Sequence, residues 1–335
     1  MKRRNVLAAG AAAGAWALPA VVRAQPAPVI KLGWAITPAQ LPPIVFANPG
    51  VLRHYGKSYT VELVYFRGSA PQITALAAGE LQVAALAFSS FALAIQNARM
   101  TDIRVIGDLY QDGVEGYYSS QYVVRADGPI RSVADLKGKV IATNGIGGAI
   151  DMAMRKRMRD ENMEDKRDYQ VIEVQFPAMP AMLAEGKVDM AGMVAPFSLD
   201  EVSKGRVRPL FSIKDAMGVT QTTLMAARAP YIEKNRAALV DFMEDMQIGT
   251  RWLLDGKNRE AALAVVARVT KQPVGNFAGW AFTRLDYFHD PAVRPNLVAL
   301  QNNIRIQKEL GFLRADIDVP KFADLSLVDE AVKRT

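Results

Sequence analysis

The sequence predicts an α/β protein made of two similar lobes. From Val29 onward, short β-rich runs alternate with helix-patterned segments, which is typical of mostly parallel sheets flanked by helices. A nine-residue stretch also recurs: Leu76–Ala84 aligns without gaps on Leu183–Ala191, and each copy leads from a helix end through a glycine into a strand. A chain of 335 residues suits two units of about 100–200 residues each.

The strands are predicted from β-rich runs bounded by turn residues. They are Val29–Trp34, Tyr59–Tyr65, Val83–Ala87, Ile103–Ile106, Gln121–Arg125, Val140–Thr143, Tyr169–Val174, Met190–Val194 and Val219–Ala226. A helix after the second strand is predicted from a capping box at Ser69–Gln72 and a stop at Gly79. Helical periodicity predicts a helical C-terminal part, Tyr231–Leu254, Arg259–Thr270 and Pro295–Leu310.

The composition excludes several kinds of chemistry. The chain has no cysteine and two histidines, His54 and His289. It therefore lacks disulfides and a cysteine nucleophile and offers too few ligands for a zinc cluster or a haem. His54 is expected in a surface turn and His289 in the helical tail, which gives no Ser-His-acid set. We expect no metal and no cofactor.

The basic charge does not indicate a nucleic-acid partner. The formal net charge is +7, but four of the cations lie in the first 24 residues and without them it is +3. The cluster Arg155–Arg159 fits the later turns of a helix that begins near Gly148, where cations complement the helix dipole and face solvent. The turn Gly145–Gly148 resembles the start of a dinucleotide-binding pattern, but Ile150 stands where the third glycine belongs.

Residues 1–24 predict an export signal. A basic start is followed by an uncharged stretch from Asn5 to Val22 and by a cleavage site after Ala24. Arg3 and Arg4 resemble a twin-arginine signal, while the lysine before them leaves the Sec route open. The uncharged stretch is too short and too weakly hydrophobic for a membrane span. The alternative to an export signal is a basic tail without a signal function. We expect a signal peptide over residues 1–24 and a mature chain that is free in the periplasm.

Three motifs carry a family resemblance. They are Phe66–Ser69 after the second strand, Ala75–Gly79 at the helix end, and Pro129–Val140, which contains an Asp-Leu-Lys-Gly-Lys entry into a strand. Over about residues 29–310 the chain resembles the sulfonate/nitrate/taurine-type periplasmic solute-binding proteins of ABC importers. The resemblance implies a type II periplasmic-binding-protein fold with a ligand cleft between the lobes. It also implies a discontinuous first lobe, residues 25–113 and 223–335, and a second lobe, residues 114–222.

The resemblance further implies a function. The chain would capture a small anionic organic solute, of the sulfonate, nitrate or aromatic or aliphatic carboxylate class. It would then deliver the solute to an inner-membrane ABC permease with its ATPase, as a monomer and without chemistry. The alternative is an enzyme on the same fold, such as a pyrimidine-precursor synthase, and the lack of cysteine counts against it.

Ligand-binding residues are predicted where strands end and helices begin, because free backbone N–H groups can hold an anion there. The candidates are Trp34, Thr37, Gln40, Arg67, Ser69, Phe88, Ser89, Ser90, Tyr117, Asn144, Gly145, Gly147 and Phe197. Arg67 would pair bidentately with a carboxylate or sulfonate, or else form a surface ion pair. The alternative for the serines is that they only cap helices, and for the aromatic residues that they belong to the hydrophobic core. The alternative for Tyr117 is a role in the hinge.

Overall fold

The computed structural model describes residues 27–335, so the predicted signal peptide lies outside the described residues. In this part of the chain the strands are β1 Val29–Trp34, β2 Thr60–Tyr65, β3 Val83–Ala87, β4 Ile103–Asp112, β5 Gln121–Arg125, β6 Val140–Thr143, β7 Gln170–Glu173, β8 Met190–Met193, β9 Val207–Ser212 and β10 Thr220–Arg228. The α-helices are α1 Pro42–Val45, α2 Ser69–Ala77, α3 Phe88–Gln96, α4 Ala149–Asp160, α5 Met179–Ala184, α6 Phe197–Ser203, α7 Ile213–Met217, α8 Ala229–Lys234, α9 Arg236–Leu254, α10 Arg259–Thr270, α11 Gly275–Ala278, α12 Leu297–Glu309 and α13 Ser326–Val332.

Two five-stranded sheets form the centres of two lobes. The first sheet has the order β2-β1-β3-β10-β4 and the second has the order β7-β6-β8-β5-β9. Strand β10 runs antiparallel to β3 and β4, and β5 runs antiparallel to β8 and β9. The other pairs are parallel. The predicted fold class, two mostly parallel sheets flanked by helices, is confirmed.

The repeated stretch occupies the same place in both lobes. It joins α2 to β3 in the first copy and α5 to β8 in the second, and β3 and β8 are each the third strand of their sheet. Gly79 and Gly186, between helix and strand, have φ angles of +75° and +67°. Glycine adopts this left-handed conformation without steric cost. The sequence repeat therefore marks a repeated structural unit.

Two crossings connect the lobes within the described residues. The chain passes from β4 to β5 and returns to β10 through α7. Asp112, the last residue of β4, holds the first crossing, because its buried carboxylate accepts the N–H of Ser120 at 2.9 Å and the hydroxyl of Ser119. After the second crossing, β10 pairs with β4 from Thr220 onward, so Thr220 belongs to the sheet of the first lobe. The lobe boundary at residue 222 stays a prediction, and it falls inside β10.

Two strands differ from the sequence-based prediction. Strand β9 was not predicted, because Pro209 interrupts the β-rich run of residues that forms it. This strand lies at the edge of its sheet and pairs with β5, and edge strands tolerate proline because one side of the strand has no neighbour to bond. Strand β4 continues six residues beyond the predicted end at Ile106, to Asp112. Its polar second half is covered by the segment around Val293, whose carbonyl accepts the N–H of Asp108 at 2.8 Å.

The helical C-terminal part is confirmed. Helices α9, α10 and α12 lie within the predicted segments, and α9 packs against α1 and α13 on the first lobe. The prediction for His289 was wrong, because this residue lies in a segment that pairs with β4 and its Nδ1 lies 2.9 Å from the carbonyl of Leu109. Across residues 27–335, every helix is too short or too polar to cross a membrane.

The basic cluster of α4 also differs in part from its prediction. It lies in the later turns of the helix, and Lys156 and Arg157 form ion pairs one turn along it. Arg155 does not face solvent, because it pairs with Asp151 and Asp165 and lies over the ring of Phe312 in the first lobe. One member of the cluster therefore serves contacts inside the molecule.

Candidate ligand-binding cleft

A cleft of about 620 Å³ lies between the two lobes. The first lobe contributes the carboxyl ends of β1, β2 and β3 together with parts of β4 and β10. The second lobe contributes the carboxyl ends of β6, β7 and β8. Open α/β sheets bind ligands beyond these strand ends, and the volume suits a small organic molecule.

Some of the predicted residues meet at this cleft. The predicted residues that line it are Gln40, Arg67, Ser69, Asn144, Gly145 and Phe197. The first three come from the first lobe and the last three from the second. A ligand between them would contact both lobes at once.

The amino end of α2 opens into the cleft, with its N–H groups unused. The predicted capping box does not form: the Ser69 hydroxyl accepts the N–H of Ala87 at 3.0 Å, and Gln72 Oε1 accepts the N–H of Ala85 at 2.8 Å. Both side chains therefore tie α2 to β3 instead of capping the helix. The N–H groups of Gly68, Ser69 and Ala70 are left without an acceptor among the described residues.

Arg67 lies beside this helix end. It is exposed, it lines the cleft, and its guanidinium has neither an ion pair nor a hydrogen bond within residues 27–335. Gly68 separates it from the helix with a φ angle of +117°, a conformation that favours glycine. A cation and several free N–H donors thus share one wall of the cleft, an arrangement suited to an anion.

Gln40, Tyr110 and Thr223 complete the polar wall of the first lobe. Gln40 Oε1 accepts the N–H of Ala35 at 2.8 Å, which leaves its Nε2 as a donor without a partner in the described part of the chain. The hydroxyl oxygen of Thr223 is buried and has no hydrogen-bond partner within the described residues. Burial raises the pKa of Tyr110, so its side chain stays a neutral hydroxyl.

The glycine-rich turn of the second lobe has different chemistry. The Ile146 N–H donates to Glu173 Oε1 at 2.7 Å, and the Gly147 N–H donates to Asp151 Oδ2 at 2.8 Å. The prediction that the N–H groups of this turn hold an anion stays a prediction, and the geometry argues against it for these two residues. Their hydrogen bonds are already made, and the two carboxylates would repel a second anion.

An apolar wall lies next to this turn. The rings of Phe176 and Phe197 stack with centroids 6.4 Å apart and an angle of 18° between their planes. The same wall continues through Val194, Pro177 and Ile146. The side chain of Ile146 is exposed. Aromatic faces of this kind bind flat or aliphatic ligand bodies.

The other predicted site residues lie away from the cleft lining. They are Trp34, Thr37, Phe88, Ser89, Ser90, Tyr117 and Gly147. Phe88 and Ser89 are fully buried at the start of α3, so both belong to the core of the first lobe. The Trp34 ring packs on that of Tyr65, and the Tyr117 ring lies against Phe288 and under the guanidinium of Arg284.

Sequence reasoning missed several lining residues. Tyr65 and Glu173 are the last residues of β2 and β7, so the rule about strand ends applies to both. Phe176 follows β7 by three residues and was open to the same argument. Tyr110 could not be found in this way, because it lies beyond the predicted end of β4.

Buried acids lie behind the cleft, near the crossings. Burial raises the pKa of Asp112 to about 6 and that of Asp108 to about 8. Gln221 Nε2 donates to Asp108 at 2.5 Å, and the N–H of Asp290 donates to it at 3.2 Å. Burial also lowers the pKa of His289, which keeps that imidazole neutral.

The architecture is the two-lobed α/β fold that periplasmic binding proteins have, with a cleft between the lobes. The chain belongs to the NMT1-like family, whose model matches residues 23–267. No curated protein sequence matches it.

Solved structures with the same fold include binding proteins and an enzyme. The periplasmic aliphatic sulphonate binding protein SsuA from Escherichia coli is 18% identical, with a TM-score of 0.67 over 88% of this chain and 92% of that one. The periplasmic nitrate-binding protein NrtA from Synechocystis PCC 6803 is 17% identical, with a TM-score of 0.71 over 92% and 89%. The desulfurization enzyme DSZB is 14% identical, with a TM-score of 0.65 over 91% and 99%.

Proposed function

We propose that this chain is the substrate-binding component of an ABC importer. It captures a small anionic organic solute between its lobes and delivers it to an inner-membrane permease with its ATPase. The observation that carries the proposal is the exposed Arg67 beside the uncapped amino end of α2, on one wall of the cleft. Two proteins with the same fold bind a sulphonate and nitrate, which supports an anionic ligand.

The acid group of the solute binds to the first lobe. Arg67 offers a planar fork for two parallel hydrogen bonds to a carboxylate or sulfonate. The N–H groups of Gly68, Ser69 and Ala70, at the adjoining amino end of α2, donate to the same acid group. The Ser69 hydroxyl accepts a bond from Ala87, so its own proton is free for the ligand.

The organic body of the solute binds to the second lobe. The stacked rings of Phe176 and Phe197 offer it an apolar surface. A solute that contacts both lobes favours the closed arrangement by its differential affinity for it, and the two crossings supply the hinge. Closure also removes water around Arg67, which strengthens its hydrogen bonds to the solute.

We propose binding without chemistry. The desulfurization enzyme shows that the fold can host a reaction, but this chain has no cysteine. Neither histidine reaches the cleft: His54 lies 3.0 Å from Glu244, and His289 is buried against Leu109. An enzyme such as a pyrimidine-precursor synthase would need other groups in this position.

We also propose that the mature chain works as a monomer in the periplasm, after removal of residues 1–24. The basic and apolar start of the sequence supports export. Cell fractionation with an antibody against the mature chain tests the location. Mature protein in the periplasmic fraction is expected, and full-length protein confined to the cytoplasm would contradict the proposal.

Thermal-shift screening tests the binding function. The panel contains aliphatic and aromatic sulfonates, the matching carboxylates and nitrate. A ligand of the folded state raises the melting temperature by mass action, and small-angle scattering of the same complex should show compaction. Absence of a shift with every anion of the panel would contradict the proposed function.

A further inference from the structure

The two charged residues that line the cleft, among those the structure describes, come from opposite lobes. Arg67 belongs to the first lobe and Glu173 to the second. Both are exposed, and neither takes part in an ion pair within residues 27–335. A ligand with an acid group alone would match Arg67 and leave Glu173 without a partner.

Glu173 is held at the rim of the apolar wall. It is the last residue of β7, and its Oε1 accepts the N–H of Ile146 at 2.7 Å. Its Oε2 has no partner in the described part of the chain. An ionised carboxylate only accepts hydrogen bonds, so this second oxygen is suited to a donor on the ligand.

The rest of the second-lobe wall offers acceptors as well. The side-chain oxygen of Asn144, which follows β6, has no hydrogen-bond donor among residues 27–335. The N–H groups of Ile146 and Gly147 are already used by Glu173 and Asp151. The first-lobe wall, in contrast, offers donors. A complementary ligand therefore accepts hydrogen bonds at one end and donates at the other.

The aromatic pair lies on the same wall of the cleft as Glu173. Phe176 follows Glu173 by three residues, and its ring stacks on that of Phe197. A flat ring bound against this pair would direct one substituent to the first lobe and the opposite one to Glu173.

We propose that Glu173 is a specificity-determining residue and that the cleft selects an aromatic acid with a hydroxyl or amino group on the ring, opposite the acid. The inference rests on the proposed function and names the ligand class of the same site. The acid binds Arg67 and the amino end of α2. The ring packs on Phe176 and Phe197, and the hydroxyl or amino group donates to Glu173.

A different role for Glu173 gives a different result. If this carboxylate pairs with Arg67 when the lobes close, its removal weakens every ligand by the same factor. If it accepts a hydrogen bond from the ligand, its removal weakens only ligands that carry the donor. The two roles are distinguished by ligand pairs that differ in that donor alone.

The experiment is isothermal titration at pH 7 with benzenesulfonate, 4-hydroxybenzenesulfonate and 4-aminobenzenesulfonate. Wild type should bind the two substituted ligands about tenfold or more tighter than benzenesulfonate, as expected for a hydrogen bond to a charged group. In Glu173→Gln this preference should shrink, and in Glu173→Ala it should disappear while benzenesulfonate affinity stays within about threefold. Glu233→Gln, an exposed glutamate outside the cleft, is the control and should keep the full preference.

Three outcomes would overturn the inference. They are equal affinity of wild type for all three ligands, an equal loss for all three in Glu173→Gln, and no binding of any of them. Circular dichroism confirms that each variant is folded. If aliphatic sulfonates or carboxylates bind in the thermal-shift panel while these three do not, the proposed function stands and the inference fails.

Discussion

The two walls of the cleft have the same architecture and opposite chemistry. On each side, parallel strands end and a helix begins next to a glycine. In the first lobe the N–H groups at Gly68–Ala70 have no acceptor within residues 27–335, and Arg67 lies beside them. In the second lobe the turn 144–148 gives its N–H groups to Glu173 and Asp151. A repeated fold thus supplies two positions for an anion, and the side chains around each position decide which one is available.

The largest loss of binding affinity is expected from substituting Arg67 on the first-lobe wall. Arg67→Ala should weaken binding of a sulfonate by about 2–5 kcal/mol, because a partly desolvated anion loses its charged partner. Arg67→Lys should recover only part of the loss, since one ammonium cannot reproduce the fork. Isothermal titration measures both.

The control for Arg67 is Arg314→Ala. Arg314 is also exposed on the first lobe, its guanidinium lacks a partner among the described residues, and it lies outside the cleft. This variant should bind like wild type. An Arg67→Ala protein with wild-type affinity would remove Arg67 from the site.

The next effect concerns the stability of the second lobe. Asp151 is fully buried and accepts hydrogen bonds from Gly147 and from Arg155 at 2.9 Å. Asp151→Ala should lower the free energy of unfolding by about 3 kcal/mol, because it leaves the partly buried Arg155 with one carboxylate fewer. Urea unfolding measures the change.

Asp160→Ala is the matched control for Asp151. Asp160 lies on the same helix and forms an exposed ion pair with Lys156, so its loss should cost less than about 1 kcal/mol. Sulfonate affinity should stay the same in both variants. A gain of affinity in Asp151→Ala that Asp160→Ala lacks would indicate that the second-lobe turn holds the anion, because the variant releases the N–H of Gly147 and removes a negative charge.

A smaller effect is expected from Ser69. Ser69→Ala removes the acceptor for the Ala87 N–H and a donor to the ligand, so affinity should fall by about 1 kcal/mol. Ser90→Ala is its control, because Ser90 lies outside the cleft lining. Titration of both should show a loss for Ser69 alone, and equal losses would mean that α3 shares the site.

The smallest effect on binding is expected from pH. A sulfonate keeps its negative charge and the backbone N–H groups keep their protons between pH 5 and 9, so the affinity for a sulfonate should stay nearly constant. Stability should depend on pH, because Asp108 has a pKa of about 8 in the folded chain and an ordinary value of 3.8. The folded state binds the proton of the Asp108 carboxyl more tightly than the unfolded state does. The free energy of unfolding should therefore fall as pH rises from about 4 to 8.

Asp108→Asn should flatten this pH profile of stability. The asparagine keeps an oxygen for Gln221 and removes the ionisation of a buried group. Urea unfolding at several pH values measures the slope. An unchanged slope in Asp108→Asn would assign the pH dependence to other groups, and Asp112, with a pKa of about 6, is the next candidate.

The fold could be read from the sequence because its signals are local. Strand runs, the glycines at 79 and 186 and the helical periodicity of the C-terminal part each depend on neighbouring residues. Strand β9 was not predicted, because Pro209 argues against a strand unless that strand is known to lie at the edge of a sheet. Local patterns carry no information about edges.

The site could be read only in part, because its chemistry depends on contacts between distant residues. The strand-end rule found Arg67 and Ser69. It could not show that the Ser69 hydroxyl binds Ala87, 18 residues away. Nor could it show that Glu173 occupies the N–H of Ile146, 27 residues away. Such contacts decide whether a helix end or a turn is free to bind an anion.

A crystal structure with a bound arylsulfonate tests the central claim most directly, since it locates the anion. The account predicts sulfonate oxygens within hydrogen-bond distance, about 2.7–3.2 Å, of the Arg67 guanidinium and of the N–H groups of Gly68, Ser69 or Ala70. A sulfonate bound instead to the turn 144–148, with Glu173 and Asp151 displaced from the N–H groups of that turn, would contradict it.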